Sequence, residues 1–301
     1  MTIVKSCLHC CYAGTPECVR HPVLASPLAN HVSAVDRDVR AGTLAVRLQT
    51  TCRFHFSFYC VQQNQKKGDP EMLKAFKNVI SEPTSGRWTG SFIFMHGSGA
   101  TGHDLHDDIK EGLRYDFNFP HIKVIYPTAP LQPYTLLGGA LSNVWFDRTG
   151  LRPKGTECLS SIDHMALQLK KMVQEEVDAG VPENRIIIGG FSMGASMALH
   201  LGLRFLPNVA GIVSLSTFLY NTSEIYKVLE NDKSVRRPPV LMSHGDEDDL
   251  ISLRWGKQTY EHLSKLGIDA TFKTIPDLGH SLTTEELDIV KSWVMEKVPD
   301  S

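Results

Sequence analysis

From residue 88 onward, short runs of apolar residues alternate with segments in which apolar residues recur at helical spacing. Each run is about as long as a buried strand and ends in glycine, proline or a polar residue. We therefore predict a strand at each of the six runs. They are SFIFMH (91–96), HIKVIYP (121–127), RIIIGGF (185–191), VAGIVSLS (209–216), PVLMSH (239–244) and ATFKTI (270–275).

Amphipathic segments lie between these runs. The clearest covers 160–179, and Gly180 and Pro182 predict its end. Thr283 and Glu286 have the spacing of a capping box and predict a last helix over 284–298. One face of the segment 160–179 carries the apolar residues Ile162, Met165, Leu169, Met172, Val173 and Val177.

Near-continuous apolar strands that alternate with helices are typical of a mostly parallel sheet covered on both faces. The pattern therefore predicts an α/β fold for residues 72–301. No internal repeat interrupts it.

The first 71 residues differ from the rest. They are basic and acid-poor, and only LAVRL (44–48) and FHFSFYCV (54–61) suggest strands. The polar stretch 62–71 has the composition of a linker, and Met72 follows it directly. We expect residues 1–71 to be a poorly structured extension, either specific to one isoform or an artefact of the gene model.

Six of the seven cysteines lie in this N-terminal part. Cys7, Cys10, Cys18 and His21 do not have the spacing of a standard zinc site, so no metal is predicted, although acylation of the neighbouring thiols stays open. The six are Cys7, Cys10, Cys11, Cys18, Cys52 and Cys60.

Composition narrows the class of protein. Of 301 residues, 42% are hydrophobic and 21% are charged, which suffices for a packed core. A net charge of -2 predicts no general affinity for nucleic acid. The chain has no apolar run long enough for a membrane span and no export signal at its start, so we expect a cytosolic protein.

The strongest chemical signal is Gly190-Phe191-Ser192-Met193-Gly194, between a predicted strand and an apolar helix. Such a turn pushes a nucleophilic serine clear of the sheet, and a side chain at 190 or 194 would collide with its neighbours. The alternative is a tight turn that holds an incidental serine.

A serine hydroxyl needs a base, and the base needs an acid. Two later strands end in suitable residues on the edge where ligands bind in such sheets. His280 is the predicted base. Asp248 is the first choice for the acid, with Asp246 and then Asp249 as alternatives.

The loop after the first core strand, His96-Gly97-Ser98-Gly99, has the composition of an oxyanion loop. The backbone N–H groups of Ser98 and Met193 are the predicted donors. The same stretch, 97–102, matches the G-x-G-x-x-G dinucleotide fingerprint. That reading requires an acidic residue after the next strand, where YPTAP (126–130) has none, so no cofactor is predicted.

Several motifs together resemble the acyl-protein thioesterase/lysophospholipase family. They are HGSGATG, YPTAP, WFD, GGFSMGASMALHL, HGDEDD and the late Gly279-His280, and the resemblance covers about residues 88–298. It implies a cytosolic α/β-hydrolase that cleaves carboxylic esters and thioesters without a cofactor, typically fatty-acyl thioesters on protein cysteines. It implies the triad Ser192, Asp248 and His280, with Ser98 and Met193 as oxyanion donors.

The chain departs from the family pattern in two places. Ala195 replaces a second glycine after the serine turn, and Ser98 replaces an apolar residue. A polar lining at Ser98 weakens the case for a long acyl groove, so a short-chain carboxylesterase is one alternative and a non-catalytic binding module is another. The prolines and Gly138-Gly139 within 127–145 suggest an ordered but bendable flap.

Partners follow from the same resemblance. It implies acylated proteins or small acyl esters as substrates, at most peripheral membrane contact, and a monomer or weak homodimer.

Overall fold

The computed structural model describes residues 76–300. Seven strands form a central sheet in the order β1-β3-β2-β6-β7-β8-β9, and β4 pairs with β5 in a separate hairpin. Only β1, which pairs with β3, runs antiparallel within the central sheet. The strands are β1 (Lys77–Ser81), β2 (Gly90–Met95), β3 (Ile122–Thr128), β4 (Leu131–Pro133), β5 (Leu141–Asn143), β6 (Ile186–Phe191), β7 (Gly211–Leu215), β8 (Val240–Gly245) and β9 (Ala270–Ile275).

The described part has six α-helices, of which five connect strands and the last follows β9. Two of them, α1 and α3, run on into a π-helical turn, at Asp108–Gly112 and Leu201–Phe205 respectively. Between residues 76 and 300, no helix has the length and apolar character needed to cross a membrane. The helices are α1 (Gly102–Asp107), α2 (Leu159–Asp178), α3 (Met193–His200), α4 (Glu224–Asn231), α5 (Leu253–Lys265) and α6 (Thr284–Lys297).

Strand β2 shows why the sheet is covered on both sides. Its side chains alternate between faces, and both faces are apolar. Ile93 and Met95 join a buried cluster with residues of α2 to α5, whereas Phe92 and Phe94 join one with α1 and α6. The predicted α/β fold, with helices on both faces of a mostly parallel sheet, is confirmed.

The six predicted strands and both predicted helices are present, within a few residues of their expected bounds. Only half of the capping box predicted at α6 is present. Thr283 accepts the Glu286 N–H through its side chain at 3.2 Å. The Glu286 carboxylate instead turns into the core and accepts the Ser243 hydroxyl at 2.5 Å.

Predictions for the N-terminal part lie outside the described residues. They include the strands at 44–48 and 54–61, the linker at 62–71 and the cysteine-rich stretch. The boundary between residues 71 and 72 stays a prediction.

The strand order decides where the site lies. The strands β2, β6, β8 and β9 run parallel in one sheet, so their carboxyl ends share one edge. The loop after each of the four holds a residue predicted from the sequence to act in catalysis.

Candidate active site

Ser192 lies in the turn between β6 and α3, in a backbone conformation that few residues adopt. Its φ is 55° and its ψ is -116°, a combination that is strained for any residue with a side chain. Its N–H donates to the Leu215 carbonyl at 2.9 Å, and its carbonyl accepts the Ser196 N–H at 3.2 Å. The neighbouring strand and the helix thus both hold the turn.

The glycines on either side of the serine permit this turn. A Cβ at Gly190 would overlap the backbone of Gly194 at the start of α3. A Cβ at Gly194 would overlap the Met95 carbonyl at the end of β2. Both contacts are with backbone atoms, which cannot move aside as a flexible side chain can. A side chain at either position would therefore collide with the backbone, as expected from the sequence.

His280, in the loop after β9, reaches both of its predicted partners. Its Nε2 lies 3.0 Å from the Ser192 hydroxyl, and its Nδ1 lies 2.7 Å from Oδ2 of Asp248. A carboxylate only accepts, so Nδ1 carries the proton and Nε2 is free to accept the serine proton. The imidazole also packs on the Phe191 ring, with 4.8 Å between centroids.

Asp248 is buried in the loop after β8. Its Oδ1 accepts the backbone N–H groups of Leu250 at 3.1 Å and Ile251 at 2.8 Å. Its Oδ2 lies 3.3 Å from His244 Nε2 as well as near His280. Burial alone would raise the pKa of Asp248, but hydrogen bonds from His244, His280 and Ile251 outweigh it and hold the pKa well below its usual value. The acid therefore stays charged and orients His280.

The two alternative acids lie elsewhere. Asp246 is exposed, and its carboxylate accepts the Asp277 N–H at 2.8 Å. Asp249 is also exposed. Neither is recorded in a hydrogen bond with His280, whereas Asp248 is.

The two predicted oxyanion donors belong to residues that touch. The Ser98 hydroxyl lies 3.5 Å from the Met193 sulfur. A Cβ at Gly97 would lie 3.4 Å from the Cβ of Ser192, so this loop packs directly on the nucleophile turn. The backbone N–H groups of Ser98 and Met193 belong to the loop and to the helix start that flank Ser192.

One glycine of the dinucleotide-like pattern is needed for packing within the chain. A Cβ at Gly102 would overlap the Tyr126 carbonyl, so Gly102 lets α1 approach β3. A Cβ at Gly97 would be in ordinary van der Waals contact with Ser192, at 3.4 Å.

His96, just before this loop, is a residue that the sequence analysis did not single out. Its Nδ1 lies 2.7 Å from the Gly97 carbonyl, and its Nε2 accepts the Ala129 N–H at 3.0 Å. The Trp145 indole donates to the His96 carbonyl at 2.8 Å. Burial lowers the pKa of His96 to about 4, so the ring is neutral at physiological pH. In the sequence, the one feature that could have identified His96 is its position directly before the glycines of the oxyanion loop.

The predicted flap is the β4–β5 hairpin, and it borders the oxyanion loop. The Gly99 N–H donates to the Asn143 carbonyl at 2.9 Å. At the tip, Gly138 and Gly139 have φ values of 64° and 88°. No charged residue lies between Lys123 and Asp147. Three leucines on the flap are exposed, Leu131 and Leu141 more than Leu137.

Comparison with known proteins yields close relatives. Mouse lysophospholipase-like protein 1 is 45% identical over 230 residues, which cover 76% of this chain and 95% of the relative. Acyl-protein thioesterase 1 of Neurospora crassa is 31% identical over 222 residues, which cover 72% of this chain and 90% of the relative.

Solved structures share the fold. Maize acyl-protein thioesterase 2 is 25% identical, with a TM-score of 0.61 over 74% of this chain and 99% of the maize chain. Arabidopsis SOBER1 is 23% identical, with a TM-score of 0.62 over 69% of this chain and 99% of its own. The phospholipase/carboxylesterase family matches residues 54–297, and this chain belongs to that family.

Proposed function

We propose that this chain is a serine hydrolase that cleaves acyl thioesters and esters with Ser192, His280 and Asp248. One observation carries the proposal: hydrogen bonds run unbroken from the Ser192 hydroxyl through both nitrogens of His280 to a buried carboxylate. The strained turn at Ser192 and the glycine loop beside it support the same reaction.

The proposed mechanism has two halves. Ser192 Oγ attacks the acyl carbonyl while His280 Nε2 takes the serine proton, and the N–H groups of Ser98 and Met193 stabilise the oxyanion. His280 then protonates the leaving sulfur or oxygen as the carbonyl re-forms. Next, His280 activates a water that attacks the acyl-enzyme, and the acid is released with the serine restored. Asp248 keeps its charge throughout and stabilises the imidazolium.

For the substrate we propose fatty-acyl thioesters on protein cysteines, palmitoyl-cysteine above all. Two relatives are named acyl-protein thioesterases, in Neurospora crassa and in maize. The exposed leucines of the flap are consistent with an apolar substrate. A cytosolic location, peripheral membrane contact through acylated substrates and a monomer or weak homodimer stay predictions from the sequence resemblance.

A second candidate is a short-chain carboxylesterase. It is favoured by Ser98, whose hydroxyl lies beside Met193 at the oxyanion loop. A polar group at this point favours small acyl groups over long apolar chains.

The test uses the full chain, with Ser192→Ala and the exposed Ser264→Ala as a matched pair. A fluorophosphonate probe is expected to label the wild type and Ser264→Ala but not Ser192→Ala. A series of acyl thioesters and esters from two to sixteen carbons then measures chain preference. Rates that rise toward sixteen carbons support depalmitoylation, whereas a peak at two to four carbons supports the short-chain enzyme. Wild-type turnover by Ser192→Ala would refute both.

A further inference from the structure

A ring of hydrogen bonds encloses the oxyanion loop, and none of its links is a triad contact. His96 Nδ1 bonds to the Gly97 carbonyl at 2.7 Å, and His96 Nε2 accepts the Ala129 N–H at 3.0 Å. The Ala129 carbonyl accepts the Asn143 side-chain amide at 2.6 Å. The Asn143 carbonyl accepts the Gly99 N–H at 2.9 Å. The chain of contacts thus returns to the loop from which it started.

The direction of each bond in the ring is determined by the groups present. Carbonyl oxygens accept and backbone N–H groups donate, so His96 must carry its proton on Nδ1. By the same rule, the Asn143 amide nitrogen faces Ala129. An aspartate at 143 would place two acceptors against each other, and alanine would leave the Ala129 carbonyl without this donor.

Ser98 lies between Gly97 and Gly99, and a different residue of the ring bonds to each of these two glycines. On one side the Gly97 carbonyl is held by His96, and on the other the Gly99 N–H is held by Asn143. The Ser98 N–H belongs to the Gly97–Ser98 peptide unit, and a rotation of that unit would redirect the N–H. Such a rotation breaks the bond at the Gly97 carbonyl.

We infer that Asn143 is a positioning residue for the oxyanion hole: its side chain ties the β4–β5 flap to Ala129, directly after β3, its backbone carbonyl ties the flap to Gly99, and together they hold the Ser98 N–H in place. The inference rests on the proposed function, since it needs Ser98 to serve as an oxyanion donor. It links one residue of the flap, Asn143, to the direction of the oxyanion donor.

The test compares two substitutions at Asn143 with a control on the same flap. Asn143→Ala removes the amide, and Asn143→Asp keeps the size of the side chain while replacing the donor with an acceptor. The control is Thr135→Val, because Thr135 bonds to Asp147 at 2.6 Å and has no recorded bond to the oxyanion loop. The readouts are kcat and KM on a p-nitrophenyl butyrate substrate, and the melting temperature.

A transition-state analogue provides the decisive readout. A trifluoromethyl ketone adds the Ser192 oxygen to its carbonyl, passes the serine proton to His280 and places an oxyanion in the hole. Butyrate, the product acid, forms no such adduct. We expect both Asn143 variants to lose about 10- to 100-fold in kcat, with KM changed less than threefold. Binding of the ketone should weaken by a similar factor, and inhibition by butyrate should stay the same.

Three results would overturn the inference. One is wild-type kcat in both Asn143 variants, and another is a raised KM with unchanged kcat, which would assign Asn143 to acyl binding. The third is an equal loss in Thr135→Val, which would reflect general loosening of the flap. If Asn143→Ala melts below the assay temperature, Asn143→Asp supplies the same readouts. An active Ser192→Ala would instead refute the proposed function, so the two failures are distinguishable.

Discussion

The carboxylate of Asp246 accepts a hydrogen bond from the backbone N–H of Asp277 at 2.8 Å. This bond joins the loop after β8, which carries Asp248, to the loop after β9, which carries His280. Two further contacts join the same two loops. The Glu247 N–H donates to the Leu278 carbonyl at 3.1 Å, and a Cβ at Gly245 would overlap that carbonyl.

The hydrogen bond between the two loops predicts that substitutions of neighbouring aspartates lower kcat to different extents. Asp248→Asn is expected to lower kcat by about 10³- to 10⁴-fold, because the His280 tautomer and orientation depend on its carboxylate. Asp246→Ala is expected to lower kcat about 3- to 10-fold, since a small misplacement of His280 is costly. Asp249→Asn, at an exposed position, serves as the control. An Asp246 variant as inactive as Asp248→Asn would contradict this assignment.

The serine turn predicts a steric effect at Gly194. Gly194→Ala would drive its Cβ into the Met95 carbonyl, and we expect a loss of about 2 to 4 kcal/mol in the free energy of unfolding, together with most activity. Gly112→Ala is the matched control because open space surrounds that position. Urea denaturation measures both, and equal stabilities of the two variants would show that the turn tolerates a side chain.

The buried Glu286 predicts a stability that falls as pH rises. Burial raises its pKa to about 7 from 4.5 in the unfolded chain, and the Ser243 hydrogen bond offsets this only in part. The folded state therefore binds the proton more tightly, and the stabilisation is present below about pH 4.5 and lost as pH rises to 7.

Glu286→Gln removes this dependence. Relative to wild type, the variant should gain up to about 3 kcal/mol in the free energy of unfolding between pH 4.5 and pH 8. Urea denaturation at both pH values measures this difference. The exposed Glu285→Gln should follow the wild type at each pH. A Glu286→Gln variant that also follows the wild type would show that Glu286 titrates normally.

The buried His96 predicts the opposite pH dependence, a stability that falls as pH falls. Burial lowers its pKa to about 4 from 6.5 in the unfolded chain, so the unfolded state binds the proton more tightly. Stability is therefore fully present above pH 6.5 and is lost as pH falls toward 4. His96→Gln should remove up to about 3 kcal/mol of this acid sensitivity, measured by urea denaturation between pH 4.5 and 7. An unchanged acid sensitivity in His96→Gln would show that another group is responsible.

Most of the sheet was predictable because its strands are buried on both faces and are therefore continuously apolar. The strands that the sequence analysis missed lack that signal. β1 is an edge strand whose residues Lys77, Asn78 and Ile80 are exposed. β4 and β5 have three residues each, too few to show a period. The Glu286 side chain was misassigned because the cap pattern is local, whereas its partner Ser243 is distant in the chain.

The candidate site was predictable where its residues follow strands in a recognisable order. Ser192, Asp248 and His280 each stand after an apolar run, and the structure brings them into one hydrogen-bonded chain. The supporting residues had a weaker signal or none. Asn143 reaches Ala129 and Gly99 only through the folded flap, and the one signal for His96 was its place before the glycines.

The strand order has a consequence for how the enzyme matures. Ser98, Ser192, Asp248 and His280 come from loops after four different strands, and the last of these, β9, is the outermost strand of the sheet beyond β8. Within this sheet, β2 pairs with β6 through residues as far apart in sequence as Ser91 and Ile186, and pairings of this kind form slowly, after local helices. In refolding from denaturant, hydrolytic activity should therefore return only after the helical signal has recovered. The return of catalysis would thus report that the distant β2–β6 pairing, which brings the loops of Ser98 and Ser192 together, has formed.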